Sequence, residues 1–370
     1  MSPTATATAP SRRRGIPGRR LLETIAGPHG IDRYLEQLSP TLVFGECRAE
    51  VVTTHHGTED SVTLGLRPNR AWGGLRAGQF VQVSVEIEGV RHNRCYSPAS
   101  PEGSGRELEI TIKRHPDGLV SNFLADHAQP GMVVGLSQAD GDFHLPDSRP
   151  DSILLIGAGS GITPLMAILR TLCAEGHAGP IALIQYAPDP DRTIYRQELD
   201  HLAAEHPNFK LTRSYTRAPG AGELDGHFSP AHLPQSDPSF AAAETFACGP
   251  PALLDAVRGA WEADGLEQRL HVESFVPPSL FPVGEPGTGS IRFAGSDLEV
   301  RNSGASILEQ AEEAGVPAQS GCRMGICHTC TCRKLSGTVK NLLTGEVSAA
   351  PDEEIQLCVS APLSDLVIDL

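Results

Sequence analysis

Four cysteines place the tightest constraint on this 370-residue chain: Cys322, Cys327 and Cys330 at x4 and x2 spacing, then Cys358 after 27 intervening residues. This is the plant-type spacing of a [2Fe–2S] cluster, whose two irons take four thiolates. The stretch "SGCRMGICHTCTC" supplies Gly321 and Gly325, which let three thiols converge and turn backbone N–H groups toward sulfur. A zinc site would favour two CxxC pairs, and only Cys327/Cys330 and Cys330-x-Cys332 come close. A Rieske centre needs two histidine ligands, and the loop has only His328. Cys332 is a surplus thiol with a structural role. Cys47, Cys95, Cys173 and Cys248 are scattered singly.

Compartment and charge agree with metal chemistry. The N-terminal stretch "MSPTATATAPSRRRGIPGRR" lacks the apolar core of a secretory signal, so a reducing cytoplasm is expected, where clustered thiols bind metal rather than form bridges. No run of about 18 apolar residues is present, so no membrane span is expected. Net charge is −15, and the first twenty residues hold five arginines and no acids, leaving −20 on the rest. Such a body repels nucleic acid and is drawn to basic partner surfaces. Residues 1–20 read as a disordered basic arm, able to make a peripheral contact with a membrane partner.

Residues 21–44 suggest a helical segment of two short turns split at Pro28. From residue 45 to 148, short alternating runs such as "QFVQVSVEI" and "ELEITIKR" predict half-buried strands and a small antiparallel β-barrel. Over 149–275 continuous apolar strands alternate with helical patterns, as in "SILLIGAG" followed by "PLMAILRTLCAEG". That texture predicts a parallel α/β sheet covered on both faces. Residues 276–289 are a Pro/Gly-rich linker, and 290–370 form a third, acidic domain. The fold class is thus multidomain, α/β plus β.

Within the barrel stands "RHNRCYSPAS". Arg94 and Tyr96, two apart on a strand, face the same way and offer a guanidinium to a phosphate and an aromatic face to a ring, with Ser97 beside them. Downstream, Gly118-x-x-Ser121 opens a predicted helix, an anion site. "GAGSGITP" follows an apolar strand and opens another helix. Gly157, Gly159 and Gly161 there let backbone N–H groups approach a pyrophosphate, although the spacing is not that of the dinucleotide fingerprint. "ACGPP" again marks a strand end.

Together these motifs carry a resemblance. Residues 45–275 resemble the ferredoxin–NADP reductase superfamily, a flavin barrel followed by a pyridine-nucleotide domain. The last 80 residues resemble plant-type ferredoxins, with a β-grasp fold. The resemblance implies that Arg94, Tyr96 and Ser97 hold the flavin, with Gly118 and Ser121 on its phosphates. It assigns Gly157, Gly159, Gly161, Thr163 and Pro164 to the nucleotide, places Cys248 beside the nicotinamide, and sets Gly249-Pro250 against the nucleotide. Ser97 and Cys248 would set the ring-to-ring geometry. Thr216-Arg217 after a strand stands where NADP-using relatives carry Ser-Arg, and Tyr195-Arg196 follows the preceding strand. Against this, Asp189 and Asp191 lie close to the same region, and carboxylates suit a 2′-hydroxyl; NADPH is expected, with NADH as the alternative. FAD is expected with FMN as the alternative.

A flavin can accept a hydride and release electrons singly, which links a nucleotide to a one-electron cluster. The chain is therefore expected to be an NAD(P)H oxidoreductase passing electrons through flavin and [2Fe–2S] to a terminal oxygenase. The stretches "LRAGQFVQVSVEIEGVRHNRCYSPAS" and "GLVSNFLADHAQPGMVVGLSQADGDFHLP" resemble reductases serving membrane fatty-acid (acyl-CoA) desaturases. The domain order also resembles phthalate dioxygenase reductase-like proteins, so a Rieske dioxygenase or cytochrome P450 partner is the alternative. A redox sensor is a third reading, though no effector module is visible.

Overall fold

The computed structural model describes Thr41, Val43 and residues 46–105, 107–116, 118–275, 288–321, 323, 325 and 328–370. The chain divides into two units, Met1–Glu46 and Cys47–Leu370. The basic arm, the two helical turns, most of the linker, Cys322 and Cys327 lie outside the described residues.

Alternation dictates the first sheet. β1 (Arg48–Thr58), β2 (Ser61–Pro68), β3 (Val81–Ile87), β4 (Val90–Tyr96), β5 (Leu108–Lys113) and β6 (Val133–Leu136) pair in the order β4-β3-β6-β1-β2-β5. Every pairing is antiparallel. Val81, Val83 and Val85 point inward with Leu64, Leu66, Ile110 and Ile112, as period-two burial requires. Val120 and Leu124 of α1 (Leu119–His127) join the same core. The end strands β4 and β5 are not hydrogen-bonded to each other, and the gap between them is where the first cavity opens.

The second sheet is parallel: β7 (Ile153–Ala158), β8 (Ile181–Ala187), β9 (Phe209–Tyr215), β10 (Leu224–Asp225), β11 (Glu244–Cys248) and β12 (Leu270–Glu273), in the order β10-β9-β8-β7-β11-β12. All seven residues of β8 are buried, as strands covered on both faces must be. Ile153 and Leu155 face α2 (Ile162–Glu175) and Leu199 of α3 (Arg196–Glu205). Leu154 and Ile156 face Leu233 of α4 (His232–Ser236) and Leu254, Val257 and Trp261 of α5 (Pro251–Asp264). The chain order reverses between β7 and β11, and such a switch point leaves a crevice outside the carboxyl ends of the strands. The short edge strands β10 and β12 have no counterpart in the sequence reading.

The third region builds β13 (Ser290–Phe293), β14 (Leu298–Arg301), β15 (Thr331–Ser336), β16 (Val339–Asn341), β17 (Val347–Ser348), β18 (Glu353–Gln356), β19 (Ser360–Pro362) and β20 (Leu366–Ile368). The larger sheet runs β14-β13-β20-β15-β18, with β13 and β20 parallel, and a smaller one runs β17-β16-β19. One helix, α6 (Ile307–Glu313), packs Ile307, Leu308 and Ala311 into its core. Ser306 and Glu309 close a capping box at its start, satisfying two otherwise orphaned N–H groups. Among the described residues, no helix is long and apolar enough to cross a membrane.

Candidate functional site

The strand end Arg94-Cys95-Tyr96-Ser97 borders a cavity of about 360 Å³ in the gap between β4 and β5, with Thr111 and Lys113 on the opposite strand. Gly118, Val120 and Ser121 close one side. Gly118 is the N-cap of α1, and no side chain caps that helix start, which leaves its N–H groups for an anion. A Cβ on Gly118 would overlap Ser121 Oγ and come within 2.9 Å of His115 Cβ, so glycine is required here by close approach. Burial pushes the Tyr96 hydroxyl well above its usual range, leaving a neutral aromatic face. This donor set suits a ring cofactor bearing phosphates. Phe275 and Arg323 also border the cavity; neither was singled out by sequence.

Ser97 leads to the site's buried polar group. Its Oγ donates to Glu273 Oε2 at 3.3 Å, and both residues are buried. Glu273 ends β12, whose parallel register sets it beside Cys248 at the end of β11. Burial pushes the Glu273 carboxyl up to about 8, and the Ser97 hydrogen bond partly offsets that rise. The Cys248 thiol is raised well above its ordinary value by burial first and by Glu273 second. Sequence reading missed Glu273, and its one local signal is a lone carboxylate in the short run "LHVES". Because Cys248 is fully buried and its thiolate disfavoured, iodoacetamide at pH 8 should leave it unlabelled in the folded protein. Mass spectrometry of the labelled chain checks this, and rapid modification would contradict the placement.

At the switch point, β7 runs into Gly157, Gly159 and Gly161 and then α2. Gly159 takes a φ of +56°. A Cβ on Gly161 would collide with the Cys248 carbonyl and approach Gly249 N to 2.8 Å, so the two nucleotide motifs are packed backbone to backbone. Thr163 and Pro164 are buried in the first turn of α2. Thr163 Oγ1 donates to Ser160 O at 3.1 Å, and both residues border the first cavity. A second cavity, about 350 Å³, is lined by Gly159, Thr216, Pro250 and Leu253, among others. It shares Lys113 with the first, so the cavities meet there. Arg217 is exposed and does not line it. Tyr195 instead bonds Glu109 Oε1 at 3.0 Å, away from that cavity. Gly161→Val should overpack this contact at about 1–3 kcal/mol. Thermal melting should fall by several degrees and KM for the nucleotide should rise; unchanged values for both would contradict the packing.

A charged clamp fixes the two sheets around these cavities. Arg170 of α2 donates to Ala99 O and Glu109 Oε1 at 2.8 Å on the barrel side, and to both Glu198 oxygens at 2.7 Å. Its guanidinium also lies 5.1 Å over the Tyr195 ring. Arg149 does similar work between Glu102 and Glu175.

Two of the four spaced cysteines are described. Cys330 and Cys358 are buried with their Sγ atoms 3.2 Å apart, and the Cys358 N–H points at Cys330 Sγ, 3.5 Å away. Gly325 holds a φ of +75° against Leu343 and Val359, so the loop needs glycine there. Paired buried thiols with a backbone donor fit thiolate ligation of iron. Cys332 Sγ turns instead to Asp369 O at 3.2 Å. Arg323 pairs with both Glu312 oxygens at 2.6 and 2.7 Å, and Gln82 Nε2 donates to Thr329 Oγ1 at 3.2 Å. This third region therefore packs against the first cavity.

Comparison with known proteins agrees with this geometry. Residues 50–145 match the family described as oxidoreductase FAD-binding domain, 155–259 the oxidoreductase NAD-binding domain, and 291–363 the 2Fe-2S iron-sulfur cluster binding domain. The chain is 35% identical over 359 residues to an NADPH oxidoreductase of Mycobacterium tuberculosis (strain ATCC 25618 / H37Rv), covering 95% of this chain and 92% of that one. It is 31% identical over 307 residues to the ferredoxin reductase component of 3-ketosteroid-9-alpha-monooxygenase of Mycolicibacterium smegmatis, covering 78% and 85%. Among solved structures, phthalate dioxygenase reductase superposes with a TM-score of 0.61 at 26% identity, covering 88% of this chain and 98% of that one. The cofactors are accordingly FAD, NAD(P)H and [2Fe–2S]. With flavin, nucleotide and iron–sulfur domains in this order and relatives matched nearly end to end, the chain belongs to the ferredoxin–NADP reductase superfamily, as an oxidoreductase with a C-terminal [2Fe–2S] ferredoxin domain.

Proposed function

We propose that this protein is the NADPH-dependent reductase component of an oxygen-activating iron enzyme. The observation that carries the reading is the sharing of Lys113 by the two cavities, with Ser97 and Arg323 on the wall of the first and Ser97 hydrogen-bonded to the buried Glu273, which pairs with Cys248. When bound, the flavin exchanges a hydride pair for single electrons and the cluster carries those singly. The chain's own groups bind, orient and exclude water. Arg94 and the uncapped start of α1 at Gly118 and Ser121 hold the flavin phosphates, and Tyr96 covers the ring. Gly157, Gly159 and Gly161, with Gly249 and Pro250, let the nucleotide backbone approach the strand ends. Ser97 Oγ and Glu273 Oε2 hold a proton at the wall of the first cavity, and the buried, neutral Cys248 thiol lies beside Glu273 in the sheet. Cys322, Cys327, Cys330 and Cys358 ligate the cluster.

NADPH is favoured over NADH because Thr216 lines the second cavity while Asp189, the carboxylate that could read a ribose hydroxyl, caps its own turn through Asp191 N and Arg192 N. The relative named for NADPH supports this choice. Thr216 and Arg217 serve the 2′-phosphate end.

For the acceptor, relatives named for a 3-ketosteroid monooxygenase and a phthalate dioxygenase support an oxygenase, and the domain order, which resembles phthalate dioxygenase reductase-like proteins, makes a Rieske dioxygenase the first reading. A membrane di-iron desaturase or related hydroxylase is the second reading. It is favoured by the sequence stretches resembling desaturase-serving reductases. Purified protein with NADPH should reduce cytochrome c rapidly and support turnover of one of these two acceptor classes in reconstitution. Bound flavin and iron without NADPH-driven turnover would instead favour the sensor reading.

A further inference from the structure

One side chain of the nucleotide region reaches across to the flavin region. Tyr195 precedes α3 with a φ of +59°, a left-handed conformation that a bulky residue adopts only where its surroundings impose it. The Arg170 guanidinium lies 5.1 Å over its ring. Its hydroxyl is 2.5 Å from Thr111 Oγ1 and donates to Glu109 Oε1 at 3.0 Å. Thr111 and Glu109, two apart on β5, share one face of that strand. Thr111 also borders the first cavity, across from Arg94 and Tyr96. The strained residue therefore bonds to a wall of the flavin site.

Counting protons fixes which way these bonds point. Glu109 Oε1 also accepts from Arg170 Nη1 at 2.8 Å, and a carboxylate can only accept. Burial first, and the Glu109 charge second, push the Tyr195 hydroxyl well above its usual range, so it keeps its single proton and gives it to Glu109. Toward Thr111 it therefore accepts, and the Thr111 proton is spent on Tyr195. The Thr111 oxygen is left with lone pairs alone. One meets Thr63 Oγ1 at 2.8 Å, and the other is available to what fills the cavity.

We infer that Tyr195 is a positioning residue for the flavin: acting through Thr111, it fixes that hydroxyl as an acceptor toward the ring and so holds the flavin potential down. This rests on the assignment of the flavin to the first cavity. An acceptor suits a ring N–H and opposes the negative charge that reduction adds, whereas a donor would stabilise that charge. A lower potential makes the reduced flavin a stronger donor to the cluster. The chain of bonds runs from Thr63 and Thr111 in the barrel to Arg170 and Glu198 in the nucleotide domain. Groups of one domain thus tune the cofactor held by the other.

The experiment is an anaerobic redox titration, followed by flavin absorbance, of the flavin- and cluster-loaded protein after its flavin content has been measured. Tyr195→Phe keeps the ring beside Arg170 but releases the Thr111 hydroxyl to turn and donate. It should shift the equilibrium at least about tenfold toward reduced flavin, an upward move of about 30 mV for a two-electron couple. Thr111→Val, of nearly the same shape, removes the acceptor and should also raise the potential, while Thr111→Ser should retain the wild-type value. In the double variant Tyr195→Phe/Thr111→Val the two shifts should not add; full additivity would overturn the route through Thr111. An unchanged or lowered potential in either single variant would overturn the inference while leaving the flavin in its cavity. Wild-type protein that binds no flavin would overturn the cavity assignment and this inference with it.

Discussion

Cys330→Ser is expected to cut NADPH-driven cytochrome c reduction by roughly a hundredfold or more, since even indirect disturbance of a metal site costs about 10–100-fold. Ferricyanide reduction, which flavin alone supports, should stay within a few-fold of wild type. Cys330 is buried with its sulfur 3.2 Å from Cys358, so serine removes one thiolate while changing little volume. Iron content and the visible absorption of the cluster should fall together, with flavin content unchanged. Cys332→Ser is the control: that sulfur bonds the Asp369 carbonyl, and its loss should leave iron content intact. A Cys330 variant with full iron and full cytochrome c activity would remove Cys330 from the ligand set.

Glu273→Gln tests the buried proton shared with Ser97. In the flavin-free protein its carboxyl is pushed from an ordinary 4.5 up to about 8 by burial. Below about pH 4.5 it is neutral in both folded and unfolded chains and contributes nothing to the slope. Between there and about 8 the unfolded chain releases the proton and the folded chain keeps it, so stability falls as pH rises by up to about 1.4 kcal/mol per pH unit. Above about 8 the loss levels off. Urea denaturation from pH 5 to 9 should reveal that slope in wild type and a flatter profile in Glu273→Gln. In the loaded enzyme the same change should lower NADPH-driven ferricyanide reduction by about a hundredfold, the low end of what a positioned proton donor contributes. Identical pH profiles with unaltered turnover would leave Glu273 a merely structural group.

Local pattern carried much of the architecture. Alternation in "QFVQVSVEI" became β3 with its valines inward, and the unbroken run "SILLIGAG" became the buried β7. Gly118 and Gly157 were legible as parts of local turn motifs, where a Cβ would meet side chains a few residues away, whereas the backbone that crowds Gly161, at Cys248 and Gly249, comes from a distant strand end. The cysteine spacing was legible for the same reason: three ligands on one loop must sit at set intervals along the chain.

What the amino-acid order determined by itself, then, was the sequence of three domains and the motifs that each fold needs locally. Only tertiary structure decided which groups share a cavity. Ser97 and Glu273 are 176 residues apart and meet where the end of β4 in the first sheet lies against the end of β12 in the second, and Lys113, Phe275 and Arg323 come together from three separate regions. Such contacts leave no periodic trace, because register and domain packing are set by burial of whole faces rather than by the residues that happen to meet at their ends.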